Sequence, residues 1–177
     1  MIMDDTKPTL QESAMRYGTI MGLFWAFKFV LIPIGFKIPI IHIVFFILTI
    51  FVPILGYIFA KRYRTNCCEN RISFVTALSF TLFMYMFASL LVAVVHYIYF
   101  QYIDNGFIFS QWLNLINQSA SMTDSQEYLQ TINQLKDAMK VVMSLSPIEL
   151  TFQLITQNVF YGLLMALPTA ALIMRKK

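Results

Sequence analysis

The chain has 177 residues, of which 58% are hydrophobic and only 12% are charged. An average soluble domain carries roughly 25% charged residues, so this composition excludes an ordinary water-soluble protein and indicates a membrane protein. The formal net charge of +4 is modest, and its distribution along the chain is more informative than its size.

Four apolar stretches predict four transmembrane helices, at about residues 15–36, 40–60, 72–100 and 148–174. The third is the clearest, because residues 72–100 contain no Asp, Glu, Lys or Arg. A hydrocarbon core of ~30 Å needs about 20 apolar helical residues, and each stretch is long enough. The sequence therefore predicts an all-α membrane protein, a four-helix bundle that forms a single domain over residues 1–177.

The first helix carries a start signal and a stripe of small residues. Thr9 and Glu12 have the spacing of a capping box, which predicts that the helix begins there. Gly18, Gly22 and Ala26 follow at four-residue spacing, a pattern that lets helix backbones approach closely in lipid. The stripe predicts packing within the chain or, alternatively, a homodimer through these three residues.

Basic residues separate the two sides of the predicted bundle. Nine of the thirteen fall before the first helix, between the second and third, or at the end of the chain: Lys7, Arg16, Lys61, Arg62, Arg64, Arg71, Arg175, Lys176 and Lys177. Positively charged short loops remain in the cytoplasm, so both termini and residues 61–71 are predicted to be cytoplasmic. Lys61, Arg62, Arg64 and Arg71 are the candidate contacts for a cytosolic partner or for anionic headgroups.

Residues 101–146 form the sizeable part that lies outside the predicted spans, on the extracytoplasmic side. Two amphipathic helices are expected there, one with an apolar face at Phe109, Trp112, Leu113 and Ile116, the other at Tyr128, Ile132, Leu135, Met139 and Val142. The pattern favours a helical hairpin on the membrane surface or on the mouth of the bundle. The alternative is a docking face for a partner helix or an identical subunit.

The fourth helix begins at a second capping box, Ser146-Pro-Ile-Glu149, and is the most polar span. Glu149, Gln153, Gln157 and Tyr161 recur every four residues on one face. Polar side chains avoid lipid, so this stripe is expected to face the bundle interior or a wet cavity. It serves either helix-to-helix hydrogen bonds or a polar site.

Lys28 lies past the middle of the first predicted span, where a charge costs roughly 2.5–3.5 kcal/mol. One interpretation is that Lys28 snorkels to water or to backbone carbonyls. The other is a polar site of Lys28 with Glu149, Gln153, Gln157 and Tyr161, which would bind a lipid phosphate or a partner helix. His42 and His96 are predicted to lie at the same depth, near the outer membrane surface. They come from separate helices and lack the sequence spacing of metal ligands, so neither a metal nor a cofactor is expected.

No nucleotide-binding loop, nucleophile elbow, zinc-protease helix or pair of catalytic carboxylates occurs in the sequence. A non-enzymatic protein is therefore expected. Its predicted function is that of an integral membrane scaffold or accessory subunit that recruits a protein partner. The alternative is a small lipid- or ion-handling protein that uses the region around Lys28 and Glu149.

Several short motifs resemble one family. They are the start of span one at Arg16-Tyr17-Gly18, the exit of span two at Gly56-Tyr57 with Tyr63-Arg64, and the entry of span three at Ser73-Phe74. With the helical segment before span four, they resemble domain of unknown function 4199, a family of four-span proteins chiefly from Bacteroidota. The resemblance implies location in the bacterial inner membrane and a partner such as a polyprenyl-phosphate glycosyltransferase, for which the protein would be a membrane anchor.

Overall fold

A computed structural model describes residues 8–122 and 125–175, and these residues form six helices. Their bounds are α1 Leu10–Gly35, α2 Ile40–Cys67, α3 Phe74–Tyr102, α4 Phe107–Ser121, α5 Gln126–Met143 and α6 Pro147–Ile173. Helices α1, α2, α3 and α6 are long and apolar enough to cross a membrane, which indicates a multi-pass membrane protein. Three of the basic residues used to predict orientation, Lys7, Lys176 and Lys177, lie outside the described residues.

Both predicted capping boxes are present. Thr9 accepts a hydrogen bond from the backbone of Glu12, whose carboxylate accepts one from Thr9 in return. Ser146 and Glu149 repeat the arrangement at the start of α6, with Pro147 at the first helical position. These reciprocal bonds pair amides that a helix start leaves without partners, so the two starts agree with the sequence prediction.

The four long helices form a bundle in which α1 and α6 each pack against both α2 and α3. Gly18 and Gly22 are buried against α3: a methyl group on Gly18 would lie 2.7 Å from the carbonyl oxygen of Met84. The small-residue stripe thus serves packing within the chain. A homodimer through Gly18, Gly22 and Ala26 would have to displace α3, because α3 already packs against both glycines.

One end of the bundle, here called the basic end, holds the start of α1, the α2–α3 loop and the end of α6. Its core is tightly packed, with the rings of Tyr63 and Phe80 stacked at 4.1 Å between centroids. Arg64 ties this end together, because its Nη1 donates to the carbonyl oxygen of Ile173 at 2.9 Å. The backbone amide of Arg175 then donates to the carbonyl oxygen of Ile72, which fixes the end of α6 on the loop.

The opposite end, called the hairpin end, is covered by α4 and α5, which pack against each other. Asp104 accepts a hydrogen bond from the amide of Ile108 and so caps the first turn of α4. Ile116 and Ile132, one from each predicted apolar face, are buried, whereas Tyr128 and Leu135 remain about half exposed. The hairpin therefore lies on the mouth of the bundle, one of the two placements that the sequence predicts.

Candidate ligand-binding cavity

A cavity of about 730 Å³ occupies the hairpin-end half of the bundle and is lined by residues from all six helices. Most of the lining is aliphatic or aromatic. Trp112 of α4 and Met139 of α5 close its outer end, so the hairpin forms a cover. Ligand pockets in proteins typically measure about 300–1,000 Å³, which places this volume in the range that accommodates a ligand.

The cavity opens sideways, between α2 and α6. No residue of α2 from Ile40 to Leu55 is buried, and none of α6 from Phe152 to Tyr161 is buried. Several residues of these stretches are exposed and line the cavity at the same time: Phe46 and Thr49 on α2, and Gln153, Gln157 and Tyr161 on α6. Since α2 and α6 are both candidate spans, this opening faces the region that lipid would occupy.

Tyr85 of α3 forms the floor of the cavity. It is fully buried and fits between Gly56 of α2 and Gly162 of α6. A methyl group on Gly162 would lie 2.8 Å from Cβ of Tyr85, and one on Gly56 would overlap the Tyr85 hydroxyl. Trp25 of α1 stacks on the Tyr85 ring at 5.8 Å between centroids. Glycine on two helices thus makes room for a large ring at the point where the packed half of the bundle meets the cavity.

Polar atoms without partners concentrate around the cavity. Among the described residues, five buried side-chain polar atoms have no hydrogen-bond partner within the protein, and four of them belong to residues that line it. These four are Trp25 Nε1, His42 Nε2, Tyr85 Oη and His96 Nδ1. An unsatisfied buried polar group costs about 1–3 kcal/mol. These atoms are spread along the cavity, from His42 near the start of α2 to Tyr85 at the floor, and each calls for a hydrogen-bond partner from water or a ligand.

The neighbouring rings hold these polar side chains in place. His96 is only 6% exposed and meets the ring of Phe29 edge-on at 4.4 Å between centroids. His42 packs against Gly35 and meets the ring of Phe36 at 5.2 Å. The imidazoles are therefore fixed by apolar contacts, and each retains a ring nitrogen that can donate or accept a hydrogen bond.

Lys28 points into the same cavity, but it does not pair with Glu149. Its Nζ donates to Thr49 Oγ1 at 3.1 Å and lies 4.9 Å from the centroid of the Phe45 ring. The carboxylate of Glu149 instead accepts hydrogen bonds from the amide and hydroxyl of Ser146, at 2.8 and 2.6 Å. Glu149 is also not among the lining residues. The predicted site around Lys28 is thus assembled without its acidic member.

The other members of the predicted polar stripe do reach the cavity. Gln153, Gln157 and Tyr161 all line it, so they share one site with Lys28. Sequence reasoning missed Trp25 and Tyr85, which lie within apolar spans where no pattern distinguishes them. His42 and His96 were considered only as metal ligands. Within residues 8–122 and 125–175, no group of three or more His, Cys, Asp or Glu side chains could hold a metal ion.

The predicted cytoplasmic contact residues are divided by the structure. Lys61 and Arg62 are exposed and line a small cleft of about 350 Å³ at the basic end. Arg71 is exposed on the α2–α3 loop. Arg64 departs from the prediction: it is only 6% exposed, because its guanidinium holds the end of α6. It is therefore unavailable to a partner or a headgroup.

Comparison with known families identifies the family of the chain. Residues 16–175 match the family described as Protein of unknown function (DUF4199). The chain belongs to this family. The matched DUF4199 region runs from α1 to just beyond α6 and so contains the entire cavity lining. Among curated proteins and among solved structures, none matches the chain. The family description gives no activity.

Proposed function

We propose that this protein binds a lipid of the surrounding bilayer, which enters the cavity between α2 and α6. The observation that carries the proposal is the set of four buried polar atoms without partners, all in residues that line one laterally open cavity. The lipid-handling alternative predicted from the sequence is thereby favoured. The site uses Lys28 together with Trp25, Tyr85 and His96 instead of Glu149.

The chemistry of the lining suits an amphiphilic ligand. Its apolar and aromatic surface would hold an acyl or similar chain, and the chain could continue into the bilayer through the opening. An oxygen-rich headgroup would satisfy the polar atoms that lie near it; the indole N–H of Trp25, for example, can only donate and therefore requires an acceptor. A water-soluble ligand would leave most of the apolar lining unused.

Native mass spectrometry of the protein released from lipid nanodiscs tests the proposal. Gln157→Trp places a bulky ring in the open side of the cavity, whereas Thr156→Trp places the same ring on the adjacent exposed residue, which is not part of the lining. The wild type and Thr156→Trp are expected to retain one lipid molecule that survives collisional activation. Gln157→Trp is expected to lose it. Equal retention by both variants would exclude the cavity as the binding site.

The proposal places the protein in a bacterial inner membrane with both termini in the cytoplasm. Lys61, Arg62 and Arg71 are exposed at the basic end, and the positive-inside rule assigns such an end to the cytoplasm. The hairpin end, and with it the cover of the cavity, would then lie on the extracytoplasmic side. A lipid would enter from the extracytoplasmic half of the bilayer.

Recruitment of a cytosolic protein is the second candidate, and the basic cleft lined by Lys61 and Arg62 favours it. Charge reversal at both residues is expected to release a partner that copurifies from native membranes. Reversal at Lys136 and Lys140 on α5 is the matched control and is expected to leave that partner bound. Release by both pairs would indicate a general effect of charge and would remove the cleft from consideration.

A further inference from the structure

We infer that the bound lipid carries one net negative charge in its headgroup and that this charge pairs with Lys28. The inference deepens the proposed function and depends on it, since it specifies the chemical class of the lipid that occupies the same cavity. It rests on the balance of charges in the lining and on the depth of Lys28 in the bundle.

The described lining contains one cationic side chain, Lys28, and no Asp or Glu. Lys28 is held by a neutral hydroxyl and by the face of an aromatic ring, at Thr49 and Phe45. Neither contact neutralises a full positive charge. A charge inside a membrane span is expensive unless it is paired, and the binding of one anionic group would compensate it.

The depth of Lys28 explains why the headgroup would have to enter the bundle. Lys28 lies seven residues before the end of α1, which is about 10 Å along the helix axis. Thr49, its partner, lies nine residues after the start of α2, or about 13 Å along that helix. Gln157 of α6 also lines this region and offers both a donor and an acceptor. An anion held there sits within the bundle, beneath the hairpin.

The same charge balance disfavours a zwitterionic headgroup. Phosphatidylcholine would bring a quaternary ammonium group into a cavity whose described lining has no carboxylate to pair with it. Lys28 already occupies the face of Phe45, and its own charge would repel a second cation nearby. The lining is therefore complementary to a lipid with one negative charge and no positive one.

The test measures relative affinities by native mass spectrometry, with phosphatidylglycerol and phosphatidylcholine of identical acyl chains as probes. The wild type is expected to prefer phosphatidylglycerol by about tenfold, the size expected for one charged hydrogen-bonded contact. Lys28→Met keeps a long apolar side chain and is expected to reduce the preference to less than about twofold. Lys28→Arg is expected to keep it.

Lys37→Met is the matched control, because Lys37 is exposed in the turn between α1 and α2 and is not part of the lining. The control loses the same charge and is expected to keep the full preference. Oleate and oleyl alcohol identify the source of the anion. If the protein prefers oleate over oleyl alcohol but does not distinguish the two phospholipids, the bound anion is a fatty acid. If it prefers phosphatidylglycerol over phosphatidylcholine, the bound anion is a phospholipid.

The two proposals fail in different ways. Wild-type protein that binds every probe equally, while Gln157→Trp still abolishes binding, would overturn the charge inference and leave lipid binding standing. A preference that survives in Lys28→Met would also overturn the inference. Absence of any lipid that depends on the cavity would overturn both. Lys28→Met and Lys37→Met are compared in the same membranes. Poor folding of a variant would reduce the amount of protein observed, whereas loss of the anionic contact would change the ratio of the affinities for the two phospholipids.

Discussion

Tyr85→Phe should stabilise the protein in the absence of ligand. The Tyr85 hydroxyl is fully buried and has no hydrogen-bond partner among the described residues. Removal of an unsatisfied buried polar group recovers its desolvation penalty, about 1–3 kcal/mol. The substitution keeps the ring, and with it the stacking on Trp25 and the fit against Gly162. The free energy of unfolding of delipidated protein, measured by sodium dodecyl sulfate titration in lipid-free maltoside micelles, is therefore expected to rise by about that amount.

Tyr63→Phe is the matched control for this measurement. Tyr63 is also buried and stacks on Phe80, but its hydroxyl interacts with Cys68 and is not among the buried polar atoms without a partner. Removal of the same atom there should lower the free energy of unfolding by about 0.5–1.5 kcal/mol, because that interaction is lost. Opposite signs for the two substitutions support the assignment of Tyr85 Oη as a buried polar group without a partner in the ligand-free protein. A loss of stability in Tyr85→Phe equal to that in Tyr63→Phe would refute this reasoning.

Two further predictions concern packing and orientation. Gly18→Ala should destabilise the bundle by about 1–3 kcal/mol, since the added methyl meets the backbone of α3, and the same titration measures it; unchanged stability would show that α1 and α3 are not in close contact. For orientation, single cysteines at Thr65 and at Ser121, in a background without Cys67 and Cys68, lie at opposite ends of the bundle and are both exposed. An impermeant maleimide should label only the Ser121 site in intact spheroplasts, and labelling of only the Thr65 site would invert the proposed orientation.

The spans and the helix starts could be predicted from the sequence because their causes are local. Hydropathy over twenty residues identifies a span whatever packs against it, and a capping box involves residues only three positions apart. The C-terminal ends of the helices are predicted less accurately from the sequence. Helix α2 continues to Cys67, seven residues past the predicted limit at residue 60. The last turns of α2 are basic and no longer apolar, but they are still helical, so hydropathy alone places the end of the helix too early.

The cavity could be predicted only in part, because its residues are brought together by packing. The polar stripe on α6 is visible in the sequence, since polar residues are conspicuous in a span. Tyr85 and Trp25 are not, because a helix that is apolar on all sides carries no periodicity that indicates which face is inside. Of the two interpretations of Lys28, the one that pairs it with Glu149 rests on their depth and neglects the capping box that already engages the Glu149 carboxylate.

Fluorescence of Trp25 tests most directly whether lipid enters the cavity. Both tryptophans of the chain line it, and Trp112→Phe leaves Trp25 on the cavity floor as the single reporter. In nanodiscs, lipids brominated on the acyl chains are expected to quench Trp25 strongly, whereas aqueous iodide is expected to quench it weakly. Strong quenching by iodide with none by brominated lipid would contradict the account, because the cavity would then be filled from water and closed to the bilayer.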